Sequence, residues 1–310
     1  MRISNSQIDV FSKCQRLWVH KYLLKTDPDF IEDTKNFFYG SLLHKILENF
    51  APRAEFEELF KNALKALGSG EYISEVAELE QNKKEFMLMY AKMQIHFESF
   101  LIFLRANKTL KIVCREQIIE TPTCKGYIDA IFKIGEEWYI VDYKTTGSFS
   151  DGIDTTLSTD GQLNLYASFT EQLQEANPEL KNLKFGGVMY LQFLKLKETF
   201  CQKCTTSADY IQKIQKKKPF ETLIRVALVK KEQLNHEKFR KEYIGSYNEM
   251  VRVAEDVANA VSFGKQNRKV CLRDSYGNKC PFMSHCYSES DKAALFYGND
   301  NIEKLKDLPF

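Results

Sequence analysis

A chain of 310 residues without any apolar run near the ~20 residues needed to cross a bilayer is not expected to be a helical membrane protein. The opening Met-Arg-Ile-Ser-Asn-Ser-Gln lacks the apolar core of a signal peptide, so a cytoplasmic protein is expected. There is also no surplus of one charge: 44 basic against 42 acidic side chains leave a formal net charge of +2. Whole-chain charge therefore does not announce a nucleic-acid binder, and any such site must be a local basic channel. Hydrophobic content of 44% and charged content of 28% are ordinary for a globular protein. The length suffices for one large domain or two small ones. Disulfides are not expected in a reducing compartment, so the 8 cysteines argue for metal binding or reduced thiols.

What the sequence does contain is a β-rich stretch from Gly126 to Thr146. Gly-Tyr-Ile-Asp-Ala-Ile-Phe and Trp-Tyr-Ile-Val-Asp-Tyr-Lys-Thr-Thr flank a connection at Gly135-Glu136-Glu137, which reads as a hairpin. The first strand carries Asp129 and the second carries Asp142 and Lys144. Strand side chains alternate between faces, so Asp142 and Lys144 share a face with Trp138 and Ile140, while Tyr139, Val141 and Tyr143 take the other. Apolar residues on both faces mark a covered strand, where a carboxylate and an ammonium are costly unless paired or bound to a metal. Two carboxylates on adjacent strands can hold Mg²⁺ with its waters, and a lysine one pleat away can serve the attacking water in phosphodiester hydrolysis. A lone Asp-x-Lys would more simply mean a buried ion pair; Asp129 on the preceding strand shifts the balance.

The rest of the chain reads as α/β. A helix over residues 4 to 25, with Ser6 as N-cap, contains Ile8, Phe11, Cys14, Leu17, Trp18 and Tyr22. Asp27-Pro28-Asp29 breaks it. A second helix spans about Phe37 to Phe50, with Gly40 and His44 four apart on one face. Residues 54 to 106 carry two apolar stripes expected to be helical core, with His96 structural. Residues 110 to 120 form the strand before the hairpin; Glu116 there is equally a site residue or a surface acid. A helix capped at Ser158-Thr-Asp160 places Gln162 and Tyr166 on one face. Gly186 to Leu194 and Phe220 to Val229 read as strands, and about Lys231 to Phe263 as a long helix. Cys201-Gln-Lys-Cys204 has no second local pair and is read as an incidental thiol pair, with metal binding the lesser option, while Cys114 and Cys124 are read as plain strand residues. Cys271, Cys280 and Cys286 lie in a Gly- and Pro-containing loop, and with Cys14 make four thiols, enough for a closed metal site.

His44, Asp129, Asp142-Tyr-Lys144 and Gln162-Leu-Asn-Leu-Tyr166, in this order over about residues 37 to 190, resemble the RecB-like branch of the PD-(D/E)XK nuclease superfamily. The resemblance implies a restriction-endonuclease-like mixed-sheet core with a helical insertion. It implies a DNA exonuclease working by two-metal phosphodiester hydrolysis, with Mg²⁺ or Mn²⁺ held by Asp129, Asp142, the Tyr143 carbonyl and His44. Lys144 would serve the attacking water, and Gln162 and Tyr166 would contact the DNA backbone. Several members bind a 4Fe–4S cluster through one upstream and three downstream cysteines, which implies Cys14, Cys271, Cys280 and Cys286 here. The first downstream spacing, eight residues against the common two, departs from that pattern, and His285 is either a decoy or an alternate ligand. Four segments follow: 1–36 with the first cluster cysteine, 37–109 helical with His44, 110–230 the nuclease core, and 231–310 the last helix and cysteine loop. Partners would be DNA ends or single strands and proteins of a recombination, phage or CRISPR complex. A non-catalytic DNA-binding scaffold and a zinc-clipped interaction protein are the competing expectations.

Overall fold

The computed structural model describes residues 1–26, 28, 35–51, 54–149, 158–199, 206–259, 262, 264, 266, 267, 280–283 and 286. Cys201, Cys204, Cys271, His285, the 150–157 part of the loop after Lys144 and the tail after Asp291 lie outside these. The chain forms two compact units. The first combines Met1–Glu32, Ile118–Gly126 and His236–Phe310; the second combines Asp33–Gln117 and Tyr127–Asn235.

Five strands make one sheet in the order β1-β2-β3-β4-β5: β1 (Leu110–Glu120), β2 (Lys125–Ile134), β3 (Glu137–Thr146), β4 (Lys184–Leu194) and β5 (Ile224–Lys230). The expected hairpin is present, with Ile134 opposite Glu137. Gly135 opens its two-residue turn at φ 62°, the glycine position of a type II′ connection. β4 runs parallel to β3 and β5 antiparallel to β4. A parallel pair needs a crossover, supplied here by residues 147–183 with α7 (Gly161–Ala167) and α8 (Thr170–Ala176).

The β3–β4 register slips between Trp138 and Tyr139, so Gly186 is an extra residue facing the Tyr139 ring. Gly187 has φ 141°, and a Cβ there would lie 2.2 Å from the Val229 carbonyl oxygen. Gly187→Ala is therefore expected to destabilise the fold by about 3 kcal/mol, through overpacking against backbone that cannot yield. Gly135→Asn, with open space around its Cβ and a residue type that tolerates positive φ, is expected to change stability by less than about 1 kcal/mol. Chemical denaturation of the two variants checks both.

Helices α3 (Lys35–Glu48), α4 (Phe56–Gly68), α5 (Ile73–Gln81) and α6 (Lys83–Ala106) cover one face of the sheet. Phe38, Leu42, Leu43, Ile46 and Leu47 of α3 share a core with Phe132, Val141, Tyr143, Leu191 and Phe193. The two apolar stripes read from the sequence are its α4 and α6 walls. His96 is buried there, its Nε2 2.6 Å from the Tyr39 hydroxyl, and burial pushes its pKa down to about 3, so it stays neutral. α7 packs on β3 and β4. Asn164 secures α7: its amide donates to the carbonyls of Ser158 and Asp160 at 3.0 and 2.8 Å and accepts the Asn235 N–H at 3.1 Å.

The N-terminal region corrects the sequence reading. α1 (Asn5–Lys13) is capped by Ser4, whose Oγ accepts the Gln7 N–H at 3.3 Å, and it ends at Cys14, which is extended. α2 (Gln15–Trp18) and a π-helical turn (Val19–Leu24) follow. A distant residue bonds to the break: Asn267 donates its side-chain amide to the Lys13 carbonyl at 2.8 Å and its backbone N–H to Cys14 Sγ at 3.4 Å. Two later boundaries also shift. Pro219 opens a 3₁₀ turn before β5, and the long helix α10 (His236–Ala258) follows a 3₁₀ turn at Lys231–Gln233 and α9 (Ser207–Lys217). Among the described residues no helix is long and apolar enough to cross a membrane.

Candidate active site

Asp129 and Asp142 each stand one residue past the Ala130–Val141 pair of the hairpin. The Asp129 side chain intervenes there, its Oδ2 accepting the Tyr143 N–H at 2.7 Å. Its other oxygen is 3.3 Å from His44 Nδ1. The His44 ring meets the Tyr143 ring edge to face, with centroids 5.9 Å apart. One turn earlier on α3, a Cβ on Gly40 would reach 3.4 Å from Thr145 Oγ1, so the helix approaches β3 closely beside the histidine. Burial pulls the His44 pKa down, but the hydrogen bond and charge of Asp129 outweigh it and leave the pKa above the ordinary value.

Asp142 is only 5% exposed. Lys144 Nζ donates to its Oδ1 at 3.2 Å and lies 2.9 Å from Oδ2 without the direction of a hydrogen bond, so Oδ2 has ion-pair distance but no donor aimed at it. Burial pushes the Asp142 pKa up to about 6; Lys144 opposes this and Asp129 adds to it. Burial pulls the Lys144 ammonium down, yet the charge and hydrogen bond of Asp142 outweigh it. A buried anionic oxygen left without a donor is costly, and a cation would relieve that cost. Among the described residues no three His, Cys, Asp or Glu side chains converge to hold a metal alone. The donor set suits a hard ion that keeps several waters and takes few protein ligands.

Glu116 sits at φ 47°, a left-handed conformation rare and strained for a residue with a side chain. Burial raises its pKa first, followed by the charges of Glu48 and Asp129, which places it in the field of the site. Glu48 was not singled out from the sequence, although it follows His44 by four residues on α3 and pairs with Lys45.

Asp160 caps α7, its Oδ1 accepting the Leu163 N–H at 2.8 Å. Gln162 Nε2 donates to the Tyr166 hydroxyl at 3.3 Å. That hydroxyl also accepts the Tyr127 backbone N–H, and burial, with smaller contributions from Asp142 and Asp129, pushes its pKa up to about 12. Gln162 and Tyr166 are thus neighbours, and Tyr166 lies within the field of the two carboxylates. On β4, Tyr190 pairs with Asp142 and Gln192 with Lys144. Gln192 is buried with its Oε1 unpartnered. Neither was anticipated.

In the first unit Cys14, Cys280 and Cys286 are all buried. Arg16 Nη1 donates to the Cys286 carbonyl at 3.4 Å, His20 stacks on Phe282 with centroids 5.7 Å apart, and Cys280 packs with Leu17 and Phe282. The first helices and the 280–286 segment therefore meet. Cys124 lies in the same unit, beside the Tyr243 hydroxyl.

A comparison with curated proteins finds no match. A family model described as the PD-(D/E)XK nuclease superfamily matches residues 2–287. The five-stranded mixed sheet with helices agrees with the restriction-endonuclease-like fold expected of that group. The chain belongs to the PD-(D/E)XK nuclease superfamily.

Proposed function

We propose that this nuclease is a metal-dependent deoxyribonuclease, an exonuclease acting on DNA ends or single strands. The observation that supports it most is the placing of Asp129 and Asp142 side by side at the end of the hairpin, with Lys144 on Asp142 and an oxygen of Asp142 lacking a directed donor. The ordered set His44, Asp129, Asp142, Lys144, Gln162 and Tyr166 resembles RecB-like exonucleases and favours exonucleolytic action. His44, Asp129, Asp142 and the Tyr143 carbonyl would hold Mg²⁺ or Mn²⁺ in a two-metal site for phosphodiester hydrolysis. The bound ion would lower the pKa of the attacking water and neutralise phosphate charge. Lys144, anchored on Asp142, orients that water and stabilises charge developing on the phosphoryl oxygens. Gln162 and Tyr166 hold the DNA backbone against α7. Cys14, Cys271, Cys280 and Cys286 are read as ligands of a structural 4Fe–4S cluster, and the protein as a component of a recombination, phage or CRISPR system. A non-catalytic scaffold has no use for this set of catalytic groups.

Digestion of end-labelled linear and circular DNA with Mg²⁺, Mn²⁺ and EDTA tests the proposal. Shortening of linear substrate from its ends with either metal, and none with EDTA, is expected. Cutting of circular DNA would make the enzyme an endonuclease, and no cleavage under any condition would favour the scaffold.

His44 directs Nδ1 at Asp129, which leaves Nε2 as the nitrogen for a metal. Imidazole suits Mn²⁺ better than Mg²⁺. His44→Ala is therefore expected to weaken Mn²⁺ binding more than Mg²⁺ binding, by about tenfold as for loss of one ligand-orienting group. Calorimetric titration of the metal-free protein with each ion checks this; equal losses would leave His44 a positioning role only.

A further inference from the structure

Lys144 has two close partners. One is Asp142. The other is the ring of Tyr190, whose centroid is 5.4 Å from Lys144 Nζ. The β3–β4 register sets Tyr190 beside Asp142. Its neighbours Val188, Met189, Leu191 and Phe193 are buried and apolar, so Tyr190 and Gln192 are the polar-bearing side chains of this buried stretch. Its hydroxyl donates to Asp160 Oδ2 at 2.5 Å. The second oxygen of Asp160 caps α7 through the Leu163 N–H. A continuous set of contacts thus runs from Lys144 through Tyr190 and Asp160 to the helix that carries Gln162 and Tyr166.

We propose that Tyr190 and Asp160 form a tether that fixes the ammonium of Lys144 and couples it to α7, which makes Tyr190 a positioning residue for phosphodiester hydrolysis. This rests on the nuclease reading given above. A lysine ammonium is a point charge on a flexible four-carbon stem. One ion pair with Asp142 leaves the stem able to swing about that carboxylate. The face of an aromatic ring 5.4 Å away attracts the cation as well and restricts this freedom. The ring is held in turn by its hydroxyl bond to Asp160. Because Asp160 also starts α7, a shift of the DNA-contacting helix and a shift of Lys144 become one event.

Tyr190→Phe keeps the ring and deletes the bond to Asp160. Asp160→Ser keeps a good helix cap and deletes the same bond from the other end. Each is expected to lower kcat on end-labelled DNA about tenfold with KM within about twofold, as for a group acting only on transition-state geometry. The double variant should be no slower than the worse single one, since both lose one bond. Tyr190→Leu, which also removes the ring beside Lys144, should lose about 100-fold. Amide hydrogen exchange over residues 162–167 should rise in both single variants while the melting temperature changes little. Unchanged kcat in both single variants, losses that multiply in the double variant, or an effect on KM alone would each overturn the tether. If Tyr190→Phe does not fold, Asp160→Ser decides by itself. Absence of cleavage by the unaltered protein would instead overturn the nuclease reading, and the exchange data then decide whether the tether exists.

Discussion

Asp142→Asn is expected to abolish DNA cleavage, by about 1,000-fold or more as for loss of an essential group, yet to melt higher than the unaltered protein in metal-free buffer at pH 8. The first half follows from the position of Asp142 beside Asp129 and Lys144. The second follows from linkage. The folded-state pKa of Asp142 is raised to about 6, so the folded chain holds this proton more tightly than the unfolded chain does. Its contribution to stability is full below the ordinary carboxylate value near ~4 and is lost as pH rises through about 6. At pH 8 the charged, buried carboxylate is a liability, which asparagine removes. The melting-temperature gap between variant and parent should therefore grow from pH 4 to pH 7. Added Mn²⁺ should close it, because the ion stabilises only the chain that can bind it. Lys144→Ala should be equally inactive. Undiminished metal-dependent cleavage by purified Asp142→Asn would remove this residue from the mechanism.

The second large effect is expected at Cys280. Anaerobically purified protein should be brown, absorb broadly near ~400 nm and hold about four irons per chain, as Cys-ligated 4Fe–4S chemistry requires. Cys280→Ser should bleach it and destabilise the first unit by about 3 kcal/mol or more, as for loss of a cross-link that closes a long loop. Three of the four proposed ligands are buried in that unit, and the Asn267 N–H already points at Cys14 Sγ, the kind of hydrogen bond that tunes a ligand sulfur. Changes at Cys201 or Cys204 should leave colour and stability intact. A colourless protein with one tightly bound zinc would replace the cluster by a zinc clip. Bleaching on changing Cys201 but not Cys14 would reassign the upstream ligand.

The parts legible in the sequence are those governed by local periodicity. Alternation placed Asp142 and Lys144 on one face, and four-residue spacing placed Gly40 with His44 and Gln162 with Tyr166. The apolar stripes announced α4 and α6. What was hidden depends on residues far apart. The break at Cys14 is bonded by Asn267 from 253 positions away. The slip at Gly186 becomes visible only once β4 lies parallel to β3. Asp160 could be read as a helix cap, but its second oxygen belongs to Tyr190, 30 residues on, which no local pattern connects. Glu116 stayed undecided because its strained backbone leaves no mark in a strand-like run of residues.

The first unit is assembled from three separate stretches, and the Tyr243 hydroxyl bonds to the Ile3 carbonyl across 240 residues. During synthesis, α1 and α2 therefore emerge long before the segments that bury them. The second unit, complete by Asn235, has all its chain available first and can close while the ribosome is still making α10. The first unit must wait for the segments that follow Asn235, and its high sequence separation favours slower closure. A cofactor held by Cys14 and Cys280 would then be loaded after Asp129 and Asp142 have been set in place, and a chain stalled near Asn235 would carry a formed hairpin while its amino-terminal helices remain exposed to proteases.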